Sequence, residues 1–159
     1  MAVGNNDTAN DNQFYCVFGY SKHSGKFLIE FLMEQIIEVR RTSKKGRGVF
    51  ALKDFKTGDI VESCPVINVN TKERKHCEKT ILNFYIYPWR STRSGSIVLG
   101  YGSIYNHSFD PNADWKQNFK TECMVYRAIK PIKKGEEILV NYNGEPDDKT
   151  AIDWFEVSN

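Results

Sequence analysis

Alternating apolar and polar positions, the pattern of half-buried strands, recur along the chain from residue 36 onward. They predict β-strands at 36–40, 49–52, 60–69, 123–129 and 138–142. Pro65 interrupts the third stretch, which predicts an edge strand or a bent strand because proline cannot donate to a strand ladder. Turn residues separate the stretches, most clearly in the run Asn-Gly-Glu-Pro that follows the last one.

Two segments depart from this strand pattern. Helical spacing over 71–84 puts Cys77 and Ile81 on one face, and a helix starting at Thr71 lacks the acid of a capping box. Residues 90–96 are polar and predict a loop. The pattern as a whole predicts one mainly β domain with few helices.

The N-terminal part of the chain has a different character. Residues 1–12 are polar and rich in asparagine, which is typical of disorder. The apolar run 14–19 predicts an edge strand, and 27–37 fits a helix or a strand equally well. We therefore predict an N-terminal extension over 1–32 and the main domain over 33–159.

Charge narrows the choice of partners. A length of 159 residues is typical of one domain, and a formal net charge of +2 is too small to indicate nucleic-acid binding by itself. Five bases lie within 40–47, whereas seven acids and one base lie within 136–156. A carboxylate-rich surface attracts a basic partner, such as a lysine-rich peptide. A solvated acidic end is the alternative.

The four cysteines are far apart and include no Cys-x-x-Cys pair. This spacing argues against a structural zinc site and against a disulfide framework, and it favours reduced thiols. No stretch reaches about 18 apolar residues, and the N-terminus lacks a secretory pattern. We therefore expect no metal, no membrane span and a cytoplasmic or nuclear location, with delivery into a host as a further option.

Three short segments carry candidate chemistry. The first, Lys-Gly-Arg-Gly-Val-Phe at 45–50, has the Gly-x-Gly spacing that lets a backbone approach a ligand closely. It is neither a dinucleotide fingerprint nor a phosphate loop, because the third glycine and the Gly-Lys-Ser/Thr are missing. A plain hairpin turn is the alternative for this segment.

The second segment, 100–112, reads Gly-Tyr-Gly-Ser-Ile-Tyr-Asn-His-Ser-Phe-Asp-Pro-Asn. It cannot be a regular helix, because Pro111 lacks a donor and each glycine costs roughly 1 kcal/mol in a helix interior. An irregular turn with a satisfied histidine is the simpler interpretation. The third segment, 135–144, reads Gly-Glu-Glu-Ile-Leu-Val-Asn-Tyr-Asn-Gly.

The order and separation of these three segments resemble the SET-domain protein-lysine methyltransferases over roughly 36–155, in particular a compact bacterial or viral-like branch. The resemblance implies a SET-type fold of several short β-sheets around a C-terminal pseudoknot, with one or two short helices. It implies S-adenosylmethionine as cofactor, S-adenosylhomocysteine as product, and no metal. The implied substrate is a basic, lysine-containing protein such as a histone, a histone-like protein or a ribosomal protein, and the implied state is a monomer or a homodimer.

The resemblance also assigns roles to individual residues. Tyr142 matches the catalytic tyrosine. The residues assigned to the cofactor are Lys45, Gly46, Arg47, Gly48, Phe50, Tyr105, Asn106, His107, Tyr142 and Trp154, with Phe155 as an alternative to Trp154. Those assigned to the substrate channel are Tyr87, Tyr101, Trp115 and Val140. Trp115 stands where some members have tyrosine, which leaves the number of transferred methyl groups open.

The chemistry of methyl transfer suits this motif set. A lysine side chain has a pKa of about 10.4, so only about one in 10³ is neutral at pH 7. A narrow apolar channel disfavours the ammonium and aligns the amine, and no strong general base is needed. Two other functions remain open: a catalytically silent SET module that binds a partner, and a nucleic-acid binder that uses the bases at 40–47.

Overall fold

The computed structural model describes residues 35–152. In this part of the chain the strands are β1 Ile37–Arg41, β2 Arg47–Ala51, β3 Ile60–Val69, β4 Ile86–Trp89, β5 Ser91–Val98, β6 Asn106–His107, β7 Ala113–Asn118, β8 Cys123–Ala128 and β9 Glu137–Val140. The helices are α1 Thr71–Cys77 and a 3₁₀ helix at Ile81–Tyr85. The predicted extension, the run 14–19, most of 27–37 and the aromatic pair Trp154 and Phe155 lie outside the described residues.

The strands form two sheets. One has the order β1-β2-β9-β6, and the other has the order β4-β5-β3-β8-β7. All pairings are antiparallel except that of β6 with β9, which is parallel. The prediction of a mainly β domain is therefore confirmed.

One hydrophobic core joins the two sheets. Its side chains come from alternate strand positions, as in Val49 and Ala51 of β2 and Ile138 and Val140 of β9. The intervening positions of these two strands are left for other contacts, because successive side chains of a strand point to opposite faces. In the first and third motifs, alternate side chains therefore pack in the core, and the side chains between them point to the opposite face of the sheet.

The proline in β3 is accommodated by a change of partner. Up to Pro65 the strand pairs with β8, and from Val66 it pairs with β5. Pro65 supplies only its carbonyl, which accepts a hydrogen bond from the N–H of Leu99 over 3.0 Å. β3 thus lies in the middle of its sheet and is not an edge strand, because no ladder donor is required at the point where the partner changes.

The predicted helix over 71–84 is shorter and better capped than expected. Asn70, one residue earlier than the predicted start, is the N-cap, and Glu73 completes a capping box with it. The helix ends at Cys77, and the Thr80 hydroxyl accepts from Leu82 N–H to begin the 3₁₀ helix. The prediction of one continuous helix without a capping box was wrong, because side-chain caps reset the backbone at both ends.

The polar segment 90–96 is mostly strand rather than loop. Arg90 adopts a positive φ of 58° and turns the chain from β4 into β5. The hydrogen bonds of β5 go to β4 on one side and to β3 on the other, which offsets its poor apolar pattern. β7 was not predicted either, although Ala113 and Trp115 are buried at alternate positions.

Candidate active site

The three sequence motifs meet where β9 lies between β2 and β6. Val49 of β2 is paired with Ile138, and Asn106 of β6 is paired with Leu139. Residues far apart in sequence therefore become neighbours across a central strand. The parallel pairing of β6 with β9 brings the second motif against the third.

Gly48 is held closely between two polar side chains. A Cβ atom there would overlap Oε1 of Glu137 and lie 2.9 Å from Nδ2 of Asn106. That amide group donates to the carbonyl of Arg47 over 3.0 Å and to Oε1 of Glu137 over 2.6 Å. The glycine is therefore required by close approach of side chains to the backbone.

The turn before Gly48 is tied to β6. Lys45 donates from Nζ to the carbonyl of His107 over 3.0 Å. Gly46 adopts a φ of 73°, in the left-handed region, and a Cβ added there would meet no atom within 4 Å. Phe50 is half-buried opposite Glu137, and the Arg40 guanidinium lies 5.0 Å from the centre of its ring.

His107 connects the second motif to the third. It is buried, and its Nδ1 accepts a hydrogen bond from the backbone N–H of Tyr142 over 3.2 Å. Burial lowers the pKa of His107, and the positive charges of Lys45 and Lys149 add to this effect. A neutral imidazole that accepts a hydrogen bond through Nδ1 fits a role of His107 in linking two segments better than a role as a proton donor.

Asn112 fastens the Pro-Asn corner to β9. Its Oδ1 accepts from Leu139 N–H over 2.8 Å, and its Nδ2 donates to the Glu137 carbonyl over 2.9 Å. The N–H of Ser108 donates to the carbonyl of Val140 over 2.9 Å. Beyond the short pairing of β6, the irregular residues 108–112 thus continue the hydrogen bonding to β9, which ends two residues before Tyr142.

The hydroxyl of Tyr142 donates to the carbonyl of Tyr105 over 2.7 Å. Burial raises the pKa of Tyr142 to about 12, and nearby Tyr85 and Glu137 add to the rise. The phenol therefore keeps its proton at neutral pH. It can orient a neighbouring group, but it is a poor general base under those conditions.

Two other predicted channel residues pack against each other. The rings of Tyr87 and Trp115 meet edge to face with centres 5.0 Å apart. The hydroxyl of Tyr87 donates to the Gly102 carbonyl over 2.9 Å, and the Trp115 indole N–H donates to the Asn141 carbonyl over 3.0 Å. Both rings are thereby held in one orientation.

The remaining predicted channel residues are placed differently. Tyr101 is half-buried, and its backbone N–H is bound by Glu62. The side chain of Val140 is fully buried in the hydrophobic core. Channel roles for these two residues stay predictions, as do the cofactor roles of the residues above.

Sequence reasoning missed three residues that support this site: Glu62, Tyr126 and Glu137. Glu62 is the single charged residue of β3, and this was the available signal. Tyr126 was hidden in a regular strand pattern, and its hydroxyl donates to the Gly102 carbonyl over 2.9 Å. Glu137 was noted within the acidic segment and within the third motif, but no role was assigned to it.

Of the five acids of that segment that lie within residues 35–152, four accept hydrogen bonds within the chain. Glu145 binds Lys116 through both carboxylate oxygens, at 3.1 and 3.2 Å. Asp148 accepts from the Thr150 N–H over 2.7 Å. Exposed ion pairs of this kind are worth little in solvent, so they compete only weakly with a basic partner.

Among residues 35–152, no group of three or more His, Cys, Asp or Glu side chains is arranged to hold a metal ion. In the same part of the chain, no helix is long and apolar enough to cross a bilayer.

Comparison with known proteins relates this arrangement of motifs to a protein family. A family model described as SET domain matches residues 46–143. A Schizosaccharomyces pombe histone-lysine N-methyltransferase, specific for H3 lysine-37, is 36% identical over 121 residues, which is 76% of this chain and 77% of the relative. The family match therefore includes all of the second motif and all but one residue of the first and of the third.

Solved structures agree with this match. A Plasmodium falciparum protein assigned as a histone methyltransferase has a TM-score of 0.54 and 31% identity, covering 69% of this chain and 98% of its own. A chain of the Chaetomium thermophilum Polycomb Repressive Complex 2 has a TM-score of 0.53 and 24% identity, covering 67% of this chain and 14% of its own. The latter likeness concerns the fold alone.

The strand arrangement and the matched segments define a SET domain, and the chain belongs to the SET-domain family. The predicted enzyme class, an S-adenosylmethionine-dependent protein-lysine methyltransferase, is confirmed by the family match and the methyltransferase relatives. These relatives do not confirm the bacterial or viral-like branch, which stays a prediction.

Proposed function

We propose that this chain transfers the methyl group of S-adenosylmethionine to the side-chain amine of a lysine in a histone or a similar basic protein. The observation that carries the proposal is the hydrogen bond from the Tyr142 hydroxyl to the Tyr105 carbonyl. Tyr105 is next in sequence to Asn106, whose amide lies against Gly48. The histone H3 specificity of the fission yeast relative supports a histone as the substrate.

The residues around Gly48 fit the cofactor. The amino-acid end and the adenine of S-adenosylmethionine need backbone hydrogen-bonding groups at close range. Gly48 has no side chain of its own that would cover its backbone groups. Within residues 35–152, no donor reaches the amide oxygen of Asn106, which is left as an acceptor. When bound, the cofactor supplies an electrophilic methyl group on a positively charged sulfur.

The chain's own residues orient the acceptor lysine. The Tyr142 hydroxyl directs its proton to the Tyr105 carbonyl, so its oxygen can act toward the incoming amine as an acceptor of an N–H. The half-buried aromatic rings of Tyr87 and Tyr142 favour the neutral amine over the ammonium. Alignment of this kind is a large part of the rate in a displacement reaction.

The proposed reaction is an in-line displacement. A bond forms between the lysine nitrogen and the methyl carbon while the carbon–sulfur bond breaks, and its electron pair stays on sulfur. The methylated nitrogen starts as an ammonium and loses a proton to solvent before a further transfer. No step uses His107 as a base, which agrees with its lowered pKa and its hydrogen bond to the backbone.

A transfer assay with radiolabelled cofactor and core histones tests the proposal. We expect Tyr142→Phe to reduce turnover by about 100-fold, because misplacing a reactant costs on the order of 10² in rate. Cofactor affinity, measured by calorimetry, should change little. Thr80→Val is the control, because it also removes a hydroxyl that donates to a carbonyl, that of Cys77, outside the three motifs.

Two results would contradict the proposal. Cofactor binding without transfer to core histones or to a mixture of ribosomal proteins would favour a catalytically silent module. Full turnover by Tyr142→Phe would show that its hydroxyl does not orient the amine. Mass spectrometry of the labelled product would also report how many methyl groups the site with Trp115 admits.

A further inference from the structure

The half-buried carboxylate of Glu62 lies in β3, outside the three motifs of the site. We propose that Glu62 is a positioning residue for methyl transfer: it clamps the segment 101–105, whose carbonyl groups hold the phenols of the predicted lysine channel. The inference rests on the proposed role of Tyr142, and it adds a residue that does not itself touch the substrate.

One carboxylate binds both ends of this segment. Oε1 of Glu62 accepts the backbone N–H of Tyr101 over 3.0 Å, and Oε2 accepts the hydroxyl of Tyr105 over 3.0 Å. At Gly100, where φ is 66°, an added Cβ would lie 2.5 Å from Oε1. The chain therefore enters the segment pressed against the carboxylate, and only glycine permits that approach without strain.

The clamped segment presents two carbonyl groups to three phenols. The Gly102 carbonyl accepts from Tyr87 and from Tyr126, each over 2.9 Å. The Tyr105 carbonyl accepts from Tyr142 over 2.7 Å. A shift of the segment would move these acceptors, and the hydroxyl groups bound to them would lose their direction.

The environment explains why a carboxylate is needed. The ring of Tyr105 is buried and stacked on Tyr126 with centres 4.4 Å apart, so its hydroxyl is far from bulk water. Burial raises the pKa of Tyr105 well above its usual value, and the charge of Glu62 adds to this, so the hydroxyl remains a donor. Two donors facing one side chain require two acceptor oxygens, since an unsatisfied buried donor is costly.

The test uses Glu62→Gln, Tyr105→Phe and the double variant of the full chain, assayed with core histones. Glutamine is nearly isosteric, but it must turn an NH₂ group toward one of the two donors. We expect each single variant to lower kcat by about tenfold or more at saturating cofactor, as expected for a lost bond to a charged group. For Glu62→Gln, the dissociation constant for S-adenosylhomocysteine should stay within about twofold of that of the starting chain.

Coupling and a matched control separate positioning from general damage. If Glu62 acts through Tyr105, the double variant should lose no more turnover than the worse single variant. Asp54→Asn is the control, because Asp54 also bridges a backbone N–H, that of Lys134, and a side chain, that of Lys133. It should keep kcat within about twofold of the starting chain.

Three results would overturn the proposal: kcat of Glu62→Gln within about twofold of the starting chain, multiplied losses in the double variant, or parallel loss of cofactor affinity and turnover. If Glu62→Gln does not fold, Tyr105→Phe decides, since it removes the same bond and keeps the stacked ring. Full turnover by Tyr142→Phe would refute the role of Tyr142, whatever the Glu62 variants show.

Discussion

The backbone N–H of Tyr142 donates to Nδ1 of His107, across 35 residues of sequence and 3.2 Å of space. This bond links the middle of the segment 100–112 to the predicted catalytic tyrosine, just past the parallel pairing of β6 with β9. It requires an imidazole with an unprotonated Nδ1. The contact fastens the segment 100–112 to the residues that follow β9.

This bond predicts a loss of stability in mild acid. The pKa of His107 in the folded chain lies below its ordinary value of 6.5, so the unfolded chain takes up the proton first as the pH falls. The contribution of His107 is therefore present above pH 6.5 and is lost as the pH falls toward the folded-state pKa. Urea unfolding between about pH 7.5 and about pH 5 should show this decline.

His107→Gln should flatten that part of the pH profile, because glutamine does not titrate. His76→Gln on the exposed surface of α1 is the matched control and should leave the profile as it is. An unchanged acid slope in His107→Gln would assign the decline to other groups.

Gly48→Ala should weaken cofactor binding by at least about tenfold. The new Cβ would overlap Oε1 of Glu137, and the repair would displace the Asn106 amide. Calorimetric titration with S-adenosylhomocysteine measures the effect. Gly58→Ala is the control: φ is 94° there and no atom lies within 4 Å of the added Cβ, so stability falls by about 1 kcal/mol and affinity does not. If Gly48→Ala and Gly58→Ala bound S-adenosylhomocysteine equally well, the cofactor would not lie against Gly48.

Asn112→Asp should lower the free energy of unfolding by about 2 kcal/mol. A carboxylate oxygen replaces the Nδ2 donor and faces the carbonyl of Glu137, which lies 2.9 Å from that donor. Asn143→Asp makes the same change at an exposed bond to the Thr150 carbonyl and should cost much less. Denaturant midpoints at constant m-value compare the two, and similar losses would mean that Asn112 is not an anchor of β9.

Asn70→Ala should cost about 1 kcal/mol of stability without changing turnover. Asn70 caps α1 by accepting from the N–H groups of Lys72 and Glu73, and α1 contains no buried residue. Thr71→Ala, at the start that the sequence pattern favoured, should cost less. Thermal unfolding of the two variants decides between the caps, and a larger effect at Thr71 would contradict the structure.

Local pattern was a good guide to several strands, although it missed β7. The alternation of β2, β8 and β9 was readable because their buried positions are apolar throughout. It failed at β5, a polar strand whose hydrogen bonds are satisfied by two neighbours, and at the capped ends of α1. In those places partners, rather than composition, select the backbone conformation.

The family, the mainly β class and the three motifs could be read from the amino-acid order, because motif order and strand alternation are properties of the chain along its length. The hydrogen-bond partners of the motif residues within the chain became apparent only from the folded structure. The parallel pairing of β6 with β9 brings His107 to Tyr142, and the position of Glu62 across from 101–105 has no local signature. Such contacts join residues dozens of positions apart, and they form because buried donors must meet acceptors that folding brings within reach.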